Sequence, residues 1–274
     1  MDIPTESKCQ DGNLCWAFND LLKRDPENKK QELRKLAMLG CTEAMVYMGV
    51  MFVDGTDDEK ARAPALFLKA AEHGDNMGMR NMGYCYALGL CVEKDKSKAV
   101  EWYRKAAEAG NAKAQCNLGV MYEYGNGVDV NMKEAVKWFR ESASNGYSRG
   151  QTNYGIHLLN GTGVERDPAA AAEQFDLART PRANYRLAKM YLEGVGVEKN
   201  ITFGVTLLEL SAAKGYAKAI FMLGTIFEVD HPEYSYDLYQ RAAAKGNKDA
   251  ADRLNGLGLS VPERTPRKVR MRLI

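Results

Sequence analysis

The 274-residue sequence contains no run of about 18 apolar residues, so no membrane-spanning helix is expected. Its opening, Met1-Asp2-Ile3-Pro4-Thr5-Glu6, lacks the basic flank and apolar stretch of a secretory signal, which makes the cytoplasm the default location. Neither charge sign dominates: 38 Lys and Arg stand against 36 Asp and Glu, a net +2. The excess is local, because residues 263–274 carry five basic residues and one acid, leaving the body at −2. The basic body of a nucleic-acid binder is therefore missing. The six cysteines (Cys9, Cys15, Cys41, Cys85, Cys91 and Cys116) include no Cys-x-x-Cys pair, so reduced thiols rather than zinc ligands are expected. His73, His157 and His231 are isolated, with no Cys or carboxylate in a recurring slot beside them. No metal site, cofactor or catalytic triad is expected from them. The glycine-rich segments lack the Gly-Lys-Ser/Thr of a phosphate loop.

What is present is repetition. A glycine recurs at Gly49, Gly83, Gly119, Gly155 and Gly224, with Ala188 in the same slot, at steps of 34, 36, 36, 33 and 36 residues. A second marker recurs at Gly40, Gly74, Gly110, Gly146, Gly215 and Gly246. Two markers with one period are the signature of a repeat architecture. Within each unit, residues such as Ala114, Leu118 and Tyr122 fall at i, i+4 and i+8, one apolar face of a first helix, A. An aromatic column continues through Phe52, Tyr86, Tyr122, Tyr191 and Phe227, with Leu158 in the fourth place. Gly125-Asn-Gly127-Val128, Gly161-Thr-Gly163-Val164 and Gly194-Val-Gly196-Val197 predict the turn. A second helix, B, then opens on a polar cap at Asp95, Asn131 or Asn200, or on Asp167-Pro168. It carries Leu66-Phe67, Trp102-Tyr103, Trp138-Phe139, Leu207-Leu208 or Leu238-Tyr239 and closes on the second glycine as a left-handed C′ residue.

The segment Ala114–Gly146 resembles the Sel1-like repeat, a relative of the tetratricopeptide repeat, and the likeness extends over about residues 9–257. It implies an all-α fold, a right-handed α-α superhelix of helix-turn-helix units. The units read as a degenerate N-terminal capping repeat at 1–43, with Trp16 in the aromatic column, and six repeats at 44–75, 76–111, 112–147, 148–180, 181–216 and 217–247. A C-terminal capping helix at 248–259 and a basic tail at 260–274 follow. End units need a polar outer face, because a repeat cannot bury both sides alone. Departures from the family pattern are Gly55-Thr-Asp57, Gly89-Leu-Cys91, the shortening near Ala178-Arg-Thr-Pro181, and Glu228-Val-Asp230-His231-Pro232.

The resemblance also implies a function, a scaffold or adaptor holding a protein segment in a groove lined by A helices, with no catalysis. The inward positions it suggests include Lys113, Asn117 and Tyr124; Arg80, Asn81 and Tyr84; Arg149 and Asn153; Arg182, Tyr185 and Lys189; and Lys218 and Phe221. Asn81, Asn117 and Asn153 form a column, and an amide can both donate to and accept from a peptide backbone. The surrounding cations favour an acidic segment or a terminal carboxylate. The competing reading of the amides is bonding between repeats, and of the lysines and arginines, solvated helix faces. A β-lactamase-like hydrolase is the alternative from another class, and Ser211-Ala-Ala-Lys214 is its one Ser-x-x-Lys, without Ser-Asp-Asn or Lys-Thr-Gly. The Arg264–Arg272 tail reads as a solubilising end, or as an arm through which nucleic acid, an anionic membrane or an acidic protein surface would be met.

Overall fold

The computed structural model describes residues 29–265. Its fourteen described helices are α1 (Lys29–Met38), α2 (Thr42–Val53), α3 (Asp57–Glu72), α4 (Asn76–Leu88), α5 (Lys96–Glu108), α6 (Ala112–Tyr124) and α7 (Met132–Ser144), then α8 (Ser148–Asn160), α9 (Pro168–Ala178), α10 (Pro181–Glu193), α11 (Ile201–Ala213), α12 (Ala217–Phe227), α13 (Pro232–Ala244) and α14 (Lys248–Gly256). No strand occurs among the described residues. The expected Trp16 and the tail from residue 266 onward lie outside them. The helices fall into two compact units, within residues 1–145 and 146–270. In each unit every helix packs on its neighbours in sequence, the serial stacking that the repeat predicts.

The helix A glycines have a steric cause. A Cβ at Gly119 would lie 2.6 Å from the Phe139 ring, at Gly49 2.5 Å from Phe67, at Gly83 2.7 Å from Tyr103, at Gly155 2.8 Å from Phe175 and at Gly224 2.6 Å from Tyr239. Each glycine admits an aromatic ring of helix B against the helix A backbone, and burying such a ring contributes about 1.5–3 kcal/mol. That offsets the roughly 1 kcal/mol glycine costs in a helix. Repeat five changes both partners: Ala188 takes the glycine slot and Leu208 the aromatic slot, both fully buried. There the glycine sits on helix B instead, where a Cβ at Gly204 would meet Leu192 at 2.9 Å.

The helix B caps form as the sequence predicts. Asp95, Asn131, Asp167 and Asn200 each accept from the amide three residues on, at 3.0, 3.1, 3.0 and 3.0 Å. In the turn, Gly127 has φ +79°, and a Cβ there would lie 2.4 Å from the Lys96 backbone of the preceding repeat. The equivalent residue of the earlier turn is Cys91, at φ +61°. A side chain in that left-handed region is strained, by about 1 kcal/mol relative to glycine.

Candidate partner-binding surface

Helix A residues divide sharply by exposure. Asn81, Arg80 and Asn153 are 1%, 6% and 8% exposed, which withdraws them from the surface. Arg80 Nη1 donates to Asn81 Oδ1 at 3.4 Å. The expected amide column is thus not a continuous accessible row: its slot faces neighbouring helices, and only Asn117 stays half-buried. Tyr84, Lys113, Tyr185 and Lys189 are also half-buried, and Arg149, Arg182 and Tyr124 are exposed. Tyr84 packs on the apolar core of its unit, whereas Tyr124 stands clear of its own.

The cations also divide. Lys189 is 3.6 Å from Glu193 on its own helix. Arg62 and Arg241 likewise pair within their helices, with Asp58 and Asp237 at 2.9 and 3.2 Å. Arg149, Arg182, Arg186 and Lys218 have no ion-pair partner among the described residues. Beside them the rings of Tyr185 and Tyr216 meet at 5.4 Å, tilted by 56°. Burial pushes both phenols up, while the Arg186 guanidinium pulls each down and Arg182 pulls Tyr216 down as well. Sequence reasoning passed over Tyr216 and Arg186. Tyr216 occupies a helix N-cap slot where Asn111 and Thr180 accept backbone bonds, and it makes no such bond. An aromatic in a capping slot was the available signal.

Gln115 was also missed. It is buried, donates from Nε2 to Ala107 O at 3.1 Å and accepts from Asn145 Nδ2 at 2.9 Å. Asn111 Nδ2 donates to Asn76 Oδ1 at 3.2 Å, and Asn76 Nδ2 to Ala109 O at 3.0 Å. Of these bonds the one from Gln115 to Ala107 O crosses from one repeat to the next, the role weighed for the asparagine column, whereas the Asn145–Gln115, Asn111–Asn76 and Asn76–Ala109 bonds lie within repeats 112–147 and 76–111. The signal was polarity four residues before the helix A glycine, at Gln115, Gln151 and Asn184, all buried.

The candidate catalytic pieces are occupied structurally. Ser211 Oγ donates to Pro181 O at 2.6 Å, as Ser142 Oγ does to Ala112 O at 2.7 Å in an earlier repeat. His73 Nδ1 lies 2.7 Å from Lys69 O, and His157 Nδ1 lies 2.9 Å from Thr162 O, each at a helix end. Cys41, Cys85, Cys91 and Cys116 are free thiols, and burial pushes Cys85 up to about 12 with the Cys91 thiol adding to it. Among the described residues no group of three His, Cys, Asp or Glu side chains is placed to hold a metal ion, and no helix is long and apolar enough to cross a membrane.

Known proteins place this arrangement. The Sel1 repeat model matches residues 42–75, 76–111, 112–147, 148–173, 181–216 and 217–247. A Sel1 repeat protein from Oxalobacter formigenes superposes with a TM-score of 0.71 at 28% identity, covering 85% of this chain and 97% of that one. A protective antigen of uropathogenic Escherichia coli strains displaying an SLR fold gives a TM-score of 0.55 at 30% identity, over 83% of this chain and 59% of that one. The DAP3-binding cell death enhancer 1 of Rattus norvegicus is 33% identical over 73 residues, 26% of this chain and only 14% of that protein. With six matched repeats spread from residue 42 to residue 247, the chain belongs to the Sel1 repeat family.

Proposed function

We propose that this protein is a non-enzymatic adaptor that holds a segment of a partner protein against its helix A faces, within the cytoplasm. Sel1 repeat proteins are generally scaffolds for protein–protein interaction. The observation that carries the reading is the set of helix A side chains open to solvent: exposed Tyr124, Arg149 and Arg182, with Asn117 half-buried and Tyr185 half-buried against Tyr216. Aromatics and arginines dominate the energy of protein interfaces, because each offers a large contact surface with a polar tip. Asn117 supplies an amide for a guest backbone, and the cations favour an acidic segment or a free terminal carboxylate. Tyr84 and Lys113 in the first unit and Lys189 in the second are half-buried residues of the same helix A faces. Arg80, Asn81 and Asn153 are buried polar groups of those helices. A relative named for binding DAP3 fits a protein partner as the class of ligand.

Affinity capture with the wild type, an Asn117→Ala/Tyr124→Ala variant and a Lys105→Glu/Glu141→Lys variant of the exposed helix B face tests this. Capture that falls several-fold for the helix A variant alone, at unchanged circular dichroism, is expected. Capture lost only with the helix B variant would overturn the reading.

A further inference from the structure

The turn between α4 and α5 departs from its sisters at one residue. Gly127, Gly163 and Gly196 hold φ values of +79°, +76° and +72°, and the equivalent residue here is Cys91, at +61°. A side chain is disfavoured in that left-handed region, so the cysteine stands at a cost that glycine would remove. A second thiol, Cys85, lies in the last turn of α4 and is fully buried. Three observations bring the two together. The Gly89 and Leu90 amides both donate to Cys85 O, at 2.8 and 2.9 Å, so the chain folds back over Cys85 immediately before Cys91. In the fourth repeat His157 fills the slot of Cys85, and its Nδ1 lies 2.9 Å from the carbonyl of Thr162, the residue just before Gly163 in the slot of Cys91. A side chain in the first slot therefore points at the turn. Lastly, Cys85 and Cys91 pack into one apolar cluster, where the Cys91 thiol adds to the burial that pushes Cys85 up to about 12. Cys41, buried in the same cluster, instead donates to Glu43 Oε2 at 3.6 Å.

We propose that Cys85 and Cys91 are a reversible dithiol–disulfide pair, a redox site that ties the turn to the end of α4. The oxidant is a low-molecular-weight disulfide of the oxidised glutathione class. Half-buried Cys91 meets it first, and nearby Lys60 favours the Cys91 thiolate against the burial that opposes it. That thiolate attacks one glutathione sulfur, the S–S bond of the oxidant breaks, and the other glutathione leaves as a thiolate. Cys85 yields its proton to a departing thiolate as it attacks Cys91 Sγ, which expels the second glutathione. One S–S bond forms in the protein for the one broken in the oxidant, and two electrons pass from the protein to glutathione. Burial keeps Cys85 a thiol until Cys91 Sγ is the electrophile beside it. Where thiols are held reduced, a disulfide of this kind is transient and reports on oxidation. The proposal is independent of the helix A surface.

The test equilibrates the full chain with reduced and oxidised glutathione, quenches in acid, alkylates the free thiols and digests with trypsin. Cleavage after Arg80 and Lys94 leaves residues 81–94 as one peptide holding Cys85, Cys91 and no other cysteine. Oxidation is expected to remove both alkyl groups and two hydrogens from this peptide, and dithiothreitol to restore them. Cys91→Gly installs the glycine of the sister turns, so it should melt no lower than the reduced wild type and leave Cys85 free and slow to alkylate. The melting temperature of the wild type should rise on oxidation, and that of Cys91→Gly should not move. Both alkyl groups retained at the most oxidising ratio, glutathione left on Cys91 with Cys85 free, a bond from Cys85 to Cys41, or a link that forms in urea but not in the native protein would each overturn the pair.

Discussion

Asp75 shows how one atom's surroundings set a local cost. Its carboxylate caps α4, accepting from the Met77 and Gly78 amides at 2.8 Å each. Burial nevertheless raises its pKa above the ordinary 3.8, with nearby Glu43 adding to the rise and the two amides and Thr42 opposing it. A raised folded-state value means the native state holds the proton more tightly than the unfolded chain. Stability therefore falls as pH climbs from the ordinary value through the raised one, and the cost is fully present at pH 7. Asparagine, which caps α6 and α14 at Asn111 and Asn247, keeps the acceptor without the charge. Asp75→Asn should raise the melting temperature at pH 7, and the gain should vanish as pH drops into the carboxylate range. A gain that persists at pH 3 would show that the buried charge is not its source. The same scale explains where the candidate site was legible. Arg149 and Arg182 lie exposed at the second position of α8 and α10, on the face opposite the buried third residues Gly150 and Ala183, although Glu43 in the same slot of α2 is buried. Arg80 and Asn81 could not be placed from their slot, because a mid-helix slot is covered or open according to what its neighbour carries.

Between elements, the decisive contact is the glycine of helix A under the aromatic ring of helix B. Gly119→Ala forces a methyl group to within 2.6 Å of Phe139, and the ring cannot retreat from a fully buried site. The expected loss is about 1–3 kcal/mol in denaturant unfolding. Adding Phe139→Leu copies the Ala188 and Leu208 combination of repeat five, and the double variant should lose clearly less than the two single losses added together. Strict additivity would mean that ring and methyl never meet. Helix identity, turn positions and caps were readable because each is set within a few residues: Asn131 caps and Gly125 ends its helix by local geometry. The reason for the glycine was not readable, since the aromatic it admits lies twenty residues away along the chain.

At the scale of the whole molecule, a stack of repeats is only as soluble as its ends. Helix α14 closes the second unit with Ala250 and Leu254, both fully buried, and Arg253 pairs with Glu228 of the last repeat. The chain beyond it returns, so that the Thr265 amide donates to Ala244 O at 2.8 Å. Removing residues 248–274 should uncover the apolar side of α13, lower the melting temperature and produce concentration-dependent association in light scattering. A truncated protein that stays monodisperse with its original melting temperature would show that α14 is not a cap. The sequence by itself determined the repeat, its period, its two-helix unit and its family, because periodic apolar residues and turn glycines act over short distances. Only the tertiary structure decided which polar residues of helix A reach solvent, that Gln115 rather than Asn81 ties repeats together, and that Tyr216 meets Tyr185. Those outcomes depend on which side chain the next repeat presents, and burial is a property of the stack rather than of any one helix.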